Sequence, residues 1–213
     1  YADTHIYVDG VAYDALPKEG GLVARLPDTG GKLAVMYYYN ENGIPKGMYV
    51  WRLAFEGTTC TATPLPGLQD LFSYHGFSIR VQSPAGIRFK SGIDAGLRDR
   101  LTADGVDGYR LTEYGTMSIA ASNLGQYPFV KGCEKVRSGR SYWTENGTVN
   151  DRIIETVDGR HRFASVLTGV PDRQISSQIA FRAYAVLVDG AGEELLVYGP
   201  PVARRIYPVS QQV

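Results

Sequence analysis

Gln178–Val188, QIAFRAYAVLV, followed by Asp189-Gly190-Ala191-Gly192 and then Glu194–Tyr198, ELLVY, is the stretch that decides the fold. Phe, Tyr, Val and Ile suit a pleated, half-buried surface, and a Gly-rich break between two such runs marks an antiparallel hairpin. Working outward, Val202–Ile206 reads as a closing strand. Upstream, Arg162–Leu167 leads to a turn at Gly169-Val170-Pro171, and Ile153–Thr156, Lys131–Val136, Thr116–Ala121 and Arg110–Glu113 read as further strands. Phe77–Val81 and Ile87–Lys90 flank a Ser83-Pro84-Ala85-Gly86 turn. Their alternation sends Ile79, Ile87 and Phe89 to a core and Arg80, Arg88 and Lys90 to the other face.

The N-terminal part follows the same rhythm, with turn signals about every ten residues. Thr4–Val8 and Val11–Tyr13 surround Asp9-Gly10, and Leu22–Leu26 follows Gly20-Gly21. Lys32–Tyr39, Met48–Phe55 and Thr58–Thr63 then continue the strands. One helix is expected: Asp94 can cap Ala95–Thr102, where Leu97 and Leu101 make a narrow apolar stripe. Gly67–Tyr74 is expected to be a short helical turn. No helix–strand alternation suggests a parallel sheet. The expected fold is all-β, an antiparallel β-sandwich over residues 76–213. A smaller β subdomain at 1–65 precedes it, joined by a linker or helical turn at 66–75.

Composition narrows the function classes. The chain has 213 residues, 44% hydrophobic and 21% charged, as ordinary globular domains do. Tyr (15) and Gly (25) are abundant, which suits strands and turns. The 22 basic and 22 acidic residues cancel, so no general basic field is present to collect nucleic acid. No apolar run is long enough for a membrane span. Tyr1-Ala2-Asp3 reads as an internal boundary within a longer protein. Cys60 and Cys133 could be two separate thiols or form one bridge, worth about 4 kcal/mol by loop closure.

Four strings in order, Ile87-Arg88-Phe89-Lys90-Ser91-Gly92-Ile93, Thr112-Glu113-Tyr114-Gly115-Thr116, Phe181-Arg182-Ala183-Tyr184-Ala185 and Ala203-Arg204-Arg205-Ile206-Tyr207, carry a resemblance. Over residues 76–208 the chain resembles an uncharacterised β-rich module of large secreted or wall-attached proteins of Gram-positive, often gut-dwelling, bacteria. The resemblance implies an extracellular, cell-surface or cell-wall setting and a modular role. It carries no catalytic residues with it.

Catalytic signatures are sparse. His5, His75 and His161 are isolated, and no zinc-binding His pair or Cys/His cluster occurs. The nucleophile elbow and the phosphate-cradling glycine loop are both missing. A glycosidase needs two carboxylates about 5–9 Å apart. Glu113, Glu145, Asp151 and Glu155 are the available acids, and Glu113 is expected to pair with an arginine such as Arg88 or Arg182. Asp94, Asp99, Asp104 and Asp107 do not follow calcium-loop spacing. No metal, cofactor or catalytic residue is therefore expected.

Binding fits the residues better, because sugar rings stack on aromatics while their hydroxyls take polar partners. Alternation separates Tyr38 from Tyr37 and Tyr39 and puts Tyr49 on the same face as Trp51; a cluster of Tyr37, Tyr39, Tyr49 and Trp51 is either a stacking platform or the core of the small subdomain, the core being the expected place of Trp51. Tyr142 and Trp143 lie in a polar stretch, Ser138–Gly147, and read equally as an exposed pair on a loop or hairpin tip or as loop residues folded back onto the sandwich edge. Asn146-Gly147-Thr148 matches a glycosylation sequon but reads more simply as a hairpin turn. The expected ligand-binding set is Trp143, Tyr142 and Tyr38, with Arg140 and Glu145 supplying hydrogen bonds. The partner is a polysaccharide or cell-wall glycan; a structural or adhesion spacer contacting another surface protein is the alternative, and a small β-sandwich glycosidase the third reading.

Overall fold

A computed structural model describes residues 3–18, 21–26, 32–39, 44–80, 86–170 and 177–205. The chain is all-β, with one short α-helix. The first sheet has the order β2-β1-β5-β6-β7 and is antiparallel throughout. Its strands are β1 (Asp3–Val8), β2 (Val11–Tyr13), β5 (Leu33–Tyr39), β6 (Pro45–Glu56) and β7 (Thr59–Pro64). A separate hairpin joins β3 (Ala15–Lys18) to β4 (Gly21–Ala24).

Two further sheets follow. One runs β13-β14-β9-β8, built from β8 (Phe72–Arg80), β9 (Gly86–Asp94), β13 (Glu155–Val157) and β14 (Arg160–Thr168). The other runs β12-β11-β10-β15-β16, with β17 also on β15. It comprises β10 (Tyr109–Ala120), β11 (Arg137–Glu145), β12 (Thr148–Asp151), β15 (Gln178–Asp189), β16 (Glu194–Tyr198) and β17 (Val202–Arg205). The expected β15–β16 hairpin forms one side of that sheet, with β15 paired to β10, β16 and β17. The two sheets face each other as a sandwich: Phe89 lies against Phe181 (ring centroids 4.8 Å) and Tyr114 against Phe163 (4.9 Å).

The helix α1 (Ala95–Ala103) begins as its cap predicts: the Leu97 N–H donates to Asp94 Oδ1 at 2.8 Å. Leu97 and Leu101 point into the core. One apolar cluster runs across the expected boundary at 65/66. It contains Tyr7, Leu33, Val35 and Tyr37 from the first sheet together with Leu68, Leu101, Tyr114, Phe163 and Leu187.

Three local expectations differ. The helical turn expected over residues 67–74 is shorter: a 3-10 turn spans Pro66–Leu68, and β8 starts at Phe72. Asp70 adopts φ +54° and accepts from the Met48 N–H, which turns the chain into the strand. Lys131–Val136 forms hydrogen-bonded turns, with Val136 N donating to the Cys133 carbonyl, rather than a strand. Arg110–Glu113 and Thr116–Ala121 are one strand, because Gly115 serves close approach and not a turn. A Cβ there would stand 2.0 Å from the Gly139 carbonyl oxygen. Ser83, Pro84 and Ala85 of the first expected turn and Pro171 of the second lie outside the described residues.

His75, on β8, is held near Ser73 (Nε2···Oγ 2.8 Å). Its pKa is lowered from the ordinary 6.5, first by burial and then by Arg162 and Arg160, with Lys90 adding to the effect and Glu155 opposing it. A histidine harder to protonate when folded lets the unfolded chain bind the proton first. His75 therefore removes stability as pH falls through about 6.5. His75→Gln should flatten the loss of stability between about pH 7 and pH 5, read by urea denaturation at each pH. Identical pH slopes in the two proteins would refute this.

Candidate functional site

The first surface is built by β5 and β6. Leu33, Val35 and Tyr37 point inward, with Tyr37 at 0% exposure, so Ala34, Met36 and Tyr38 point outward. The register Ala34↔Trp51, Met36↔Tyr49 and Tyr38↔Gly47 puts Trp51 and Tyr49 on that outward face. Trp51 is thus half-buried on the outside and not in the core, because its strand mates already fill the inward side. The three rings form a row: Tyr38–Tyr49 and Tyr49–Trp51 centroids are each 6.3 Å apart, with planes tilted 29°. Gly47 makes the row possible. A Cβ there would stand 2.0 Å from Tyr38 Cε1, so the phenol crosses directly over the glycine.

The second surface surrounds β11. Tyr142 and Trp143 are not exposed on a loop; they sit within β11 at 6% and 7% exposure. The Asn146-Gly147 turn behind them is real: both residues have positive φ (50° and 75°), joining Glu145 to Thr148 in a two-residue hairpin. That hairpin pulls the aromatic pair into the sheet. Tyr142 stacks on Tyr114 (5.4 Å, 5°), and the Arg98 guanidinium lies over its ring. Trp143 lies beneath Arg140 and Arg152, whose guanidinium carbons are 4.6 and 4.7 Å from its ring. Its Nε1–H points at Glu145 Oε2 at 3.4 Å. Of the expected ligand set, Arg140 and Glu145 remain exposed, Tyr38 stands on the other surface, and Tyr142 and Trp143 are packed away.

Glu113 has neither Arg88 nor Arg182 as partner. Its Oε1 accepts from the Tyr184 hydroxyl at 2.6 Å and pairs with Lys131 Nζ at 2.8 Å. Burial, with the carboxylate adding to it, pushes the Tyr184 phenol above its ordinary pKa of 10.0. Arg182 is instead buried at 1% exposure, donating to the backbone carbonyls of Gly10, Phe129 and Gly199.

Between β11 and β14 runs a trough of two contiguous depressions, about 470 and 760 Å³, which share Ser118, Arg137, Leu167 and Thr168. Strand β12 covers only Tyr142–Glu145, and β13 covers only Arg160–Arg162. Among the described residues no strand lies beyond Arg137–Arg140 or beyond Phe163–Thr168, so the trough is bounded by two open strand edges. Side chains of both parities on β11 therefore reach it. Of these arginines the sequence points to Arg140 as a ligand residue; Arg80 from β8, Arg137 from β11 and Arg152 from just after β12 reach the same place, and nothing local marks them as its companions.

No protein-family model, curated protein or solved structure matches this chain. Among the described residues, no three His, Cys, Asp or Glu side chains gather where they could hold a metal ion. Cys60, exposed on β7, and Cys133 are free thiols. No helix among the described residues is long and apolar enough to cross a membrane.

Proposed function

We propose that this chain is a non-catalytic, extracellular carbohydrate-binding module of a bacterial surface protein, with the Tyr38–Tyr49–Trp51 row as its platform. The observation that carries the reading is a near-parallel row of rings on the outer face of a rigid sheet. Sugar rings have apolar C–H faces that gain from stacking on such rings, and a β-sheet fixes the spacing without loss of side-chain freedom on binding. The resemblance over residues 76–208 supports the surface location and the modular role.

The test is a pull-down on insoluble β-glucan, mannan and peptidoglycan with wild type, Trp51→Ala and Tyr49→Ala. Each variant should weaken binding roughly tenfold. Their melting temperatures should change little, because both residues lie on the outer face. Retention of full binding by both variants, or no binding to any glycan by wild type, would sink the proposal.

One observation favours the adhesion reading as the second choice. Strand β7 is exposed along its whole length and forms the outer edge of the first sheet. Such an edge can accept a strand from another protein.

A further inference from the structure

We propose that the trough between the open edges of β11 and β14 binds a linear acidic polysaccharide, whose oxyanion groups are held by Arg137, Arg140 and Arg152. This site is separate from the aromatic row and does not depend on it.

The charge distribution is the first argument. The whole chain is neutral, yet the trough is lined by Arg80, Lys135, Arg137, Arg140 and Arg152 and by no Asp or Glu among its described residues. Lys135 is paired with Glu134. Arg137, Arg140 and Arg152 make no ion pair among the described residues, and Arg140 and Arg152 are instead laid over the Trp143 ring. Arg137, Arg140 and Arg152, like charges without an ion-pair partner among the described residues, repel one another, and an arriving anion relieves that repulsion. Guanidinium groups meet carboxylate, sulfate or phosphate with paired N–H donors, and the indole beneath Arg140 and Arg152 holds two of them in place in advance.

The shape and lining select a glycan. Ser118, Ser138, Ser165 and Thr168 offer hydroxyls between the arginines. Thr116, 2% exposed, lines the trough with a hydroxyl that meets no partner among the described residues. A buried hydroxyl without a partner is unfavourable, and a ligand hydroxyl can supply the missing bond. Arg137 and Arg140 are three residues apart on one strand, about 10 Å along it, so a chain with repeated charges engages both and a single small anion does not.

Two other polyanions fit less well. Single-stranded nucleic acid needs exposed rings for its bases. Among the described residues the only aromatic lining the trough is Phe89, and it is 2% exposed. An acidic peptide adding as a strand needs about 4.8 Å on each side. The two edges close together midway, where a Cβ on Gly139 would stand 2.8 Å from Ser165 Oγ.

Affinity electrophoresis of the full chain through gels holding polygalacturonate, dextran sulfate, phosphomannan or neutral dextran tests the site. At least one charged polymer should retard the protein, dextran should not, and the effect should vanish near about 0.5 M salt. The three charged arms separate carboxylate, sulfate and phosphate as the recognised group. Arg137→Glu is the clean variant, since Arg137 is exposed and has no ion pair to lose among the described residues. It should weaken retardation roughly tenfold or more while leaving the melting temperature unchanged. Trp51→Ala should leave retardation intact, which separates this site from the aromatic row. Equal retardation of Arg137→Glu, no retardation by any charged glycan, or binding of poly-glutamate or oligo-thymidine as tight as that of any glycan would overturn the proposal.

Discussion

Replacing Arg182 with methionine should cost about 3–5 kcal/mol and lower the melting temperature by roughly 10 °C. The guanidinium is 1% exposed and has no carboxylate partner among the described residues. Its charge is met by carbonyls instead: Nε donates to Gly199 at 2.9 Å, and Nη1 to Gly10 at 2.9 Å and Phe129 at 3.2 Å. The rings of Tyr7, Phe129 and Tyr198 surround it, 4.8 to 5.5 Å from the guanidinium carbon. Those carbonyls belong to the β1–β2 turn, the segment after β10 and the β16–β17 connection, so one side chain ties three distant parts of the chain. Methionine fills much of the volume but leaves three carbonyls without a donor, each worth about 1–3 kcal/mol when buried. Arg182→Lys keeps the charge and part of the bonding, and should fall between. Urea denaturation of all three proteins decides the matter; a loss under about 1 kcal/mol in the methionine variant would show that the carbonyls find other donors.

Trp143→Ala should be the next most damaging change, at about 3 kcal/mol. The indole is 7% exposed inside β11, and its removal leaves both a cavity and two arginines without their support. Trp143→Phe retains a ring beneath the arginines and gives up only the long contact to Glu145, so it should cost under about 1.5 kcal/mol. Thermal unfolding distinguishes the two. An alanine variant as stable as wild type would mean that the indole is a surface ring after all. The same variant, assayed while folded, should also lose part of its polyanion retardation, because Arg140 and Arg152 are no longer held over a shelf.

The difference between Trp143 and Tyr38 shows where reading the chain succeeds. Tyr38 lies in a regular alternating strand, and its separation from Tyr37 and Tyr39 is visible in the order of residues alone. Trp143 lies between polar neighbours, Arg140-Ser141 and Thr144-Glu145, which suggests a loop. Its burial comes from a hairpin that closes behind it and from Arg152, which arrives from beyond that turn. Trp51 errs the other way. Its size suggests a core residue, but the inward side of its sheet is already filled by Leu33, Val35, Tyr37, Met48 and Val50.

By itself, the sequence determined what short-range physics controls: most of the strand runs, though not β3, β11 or β12, together with the β15–β16 hairpin, the Asp94-capped helix and the Asn146-Gly147 turn. Each depends on backbone preferences and side-chain bonds within a few residues. Tertiary structure alone decided which face of each strand is covered, that Arg182 is buried among three carbonyls, and that arginines from β8, β11 and the chain just after β12 share one trough. Alternation divides a strand into two faces but does not say which one another sheet will cover. Charge is likewise additive along the chain but local in space, so a neutral sequence folds into a protein whose trough is lined, among the described residues, by basic and no acidic side chains.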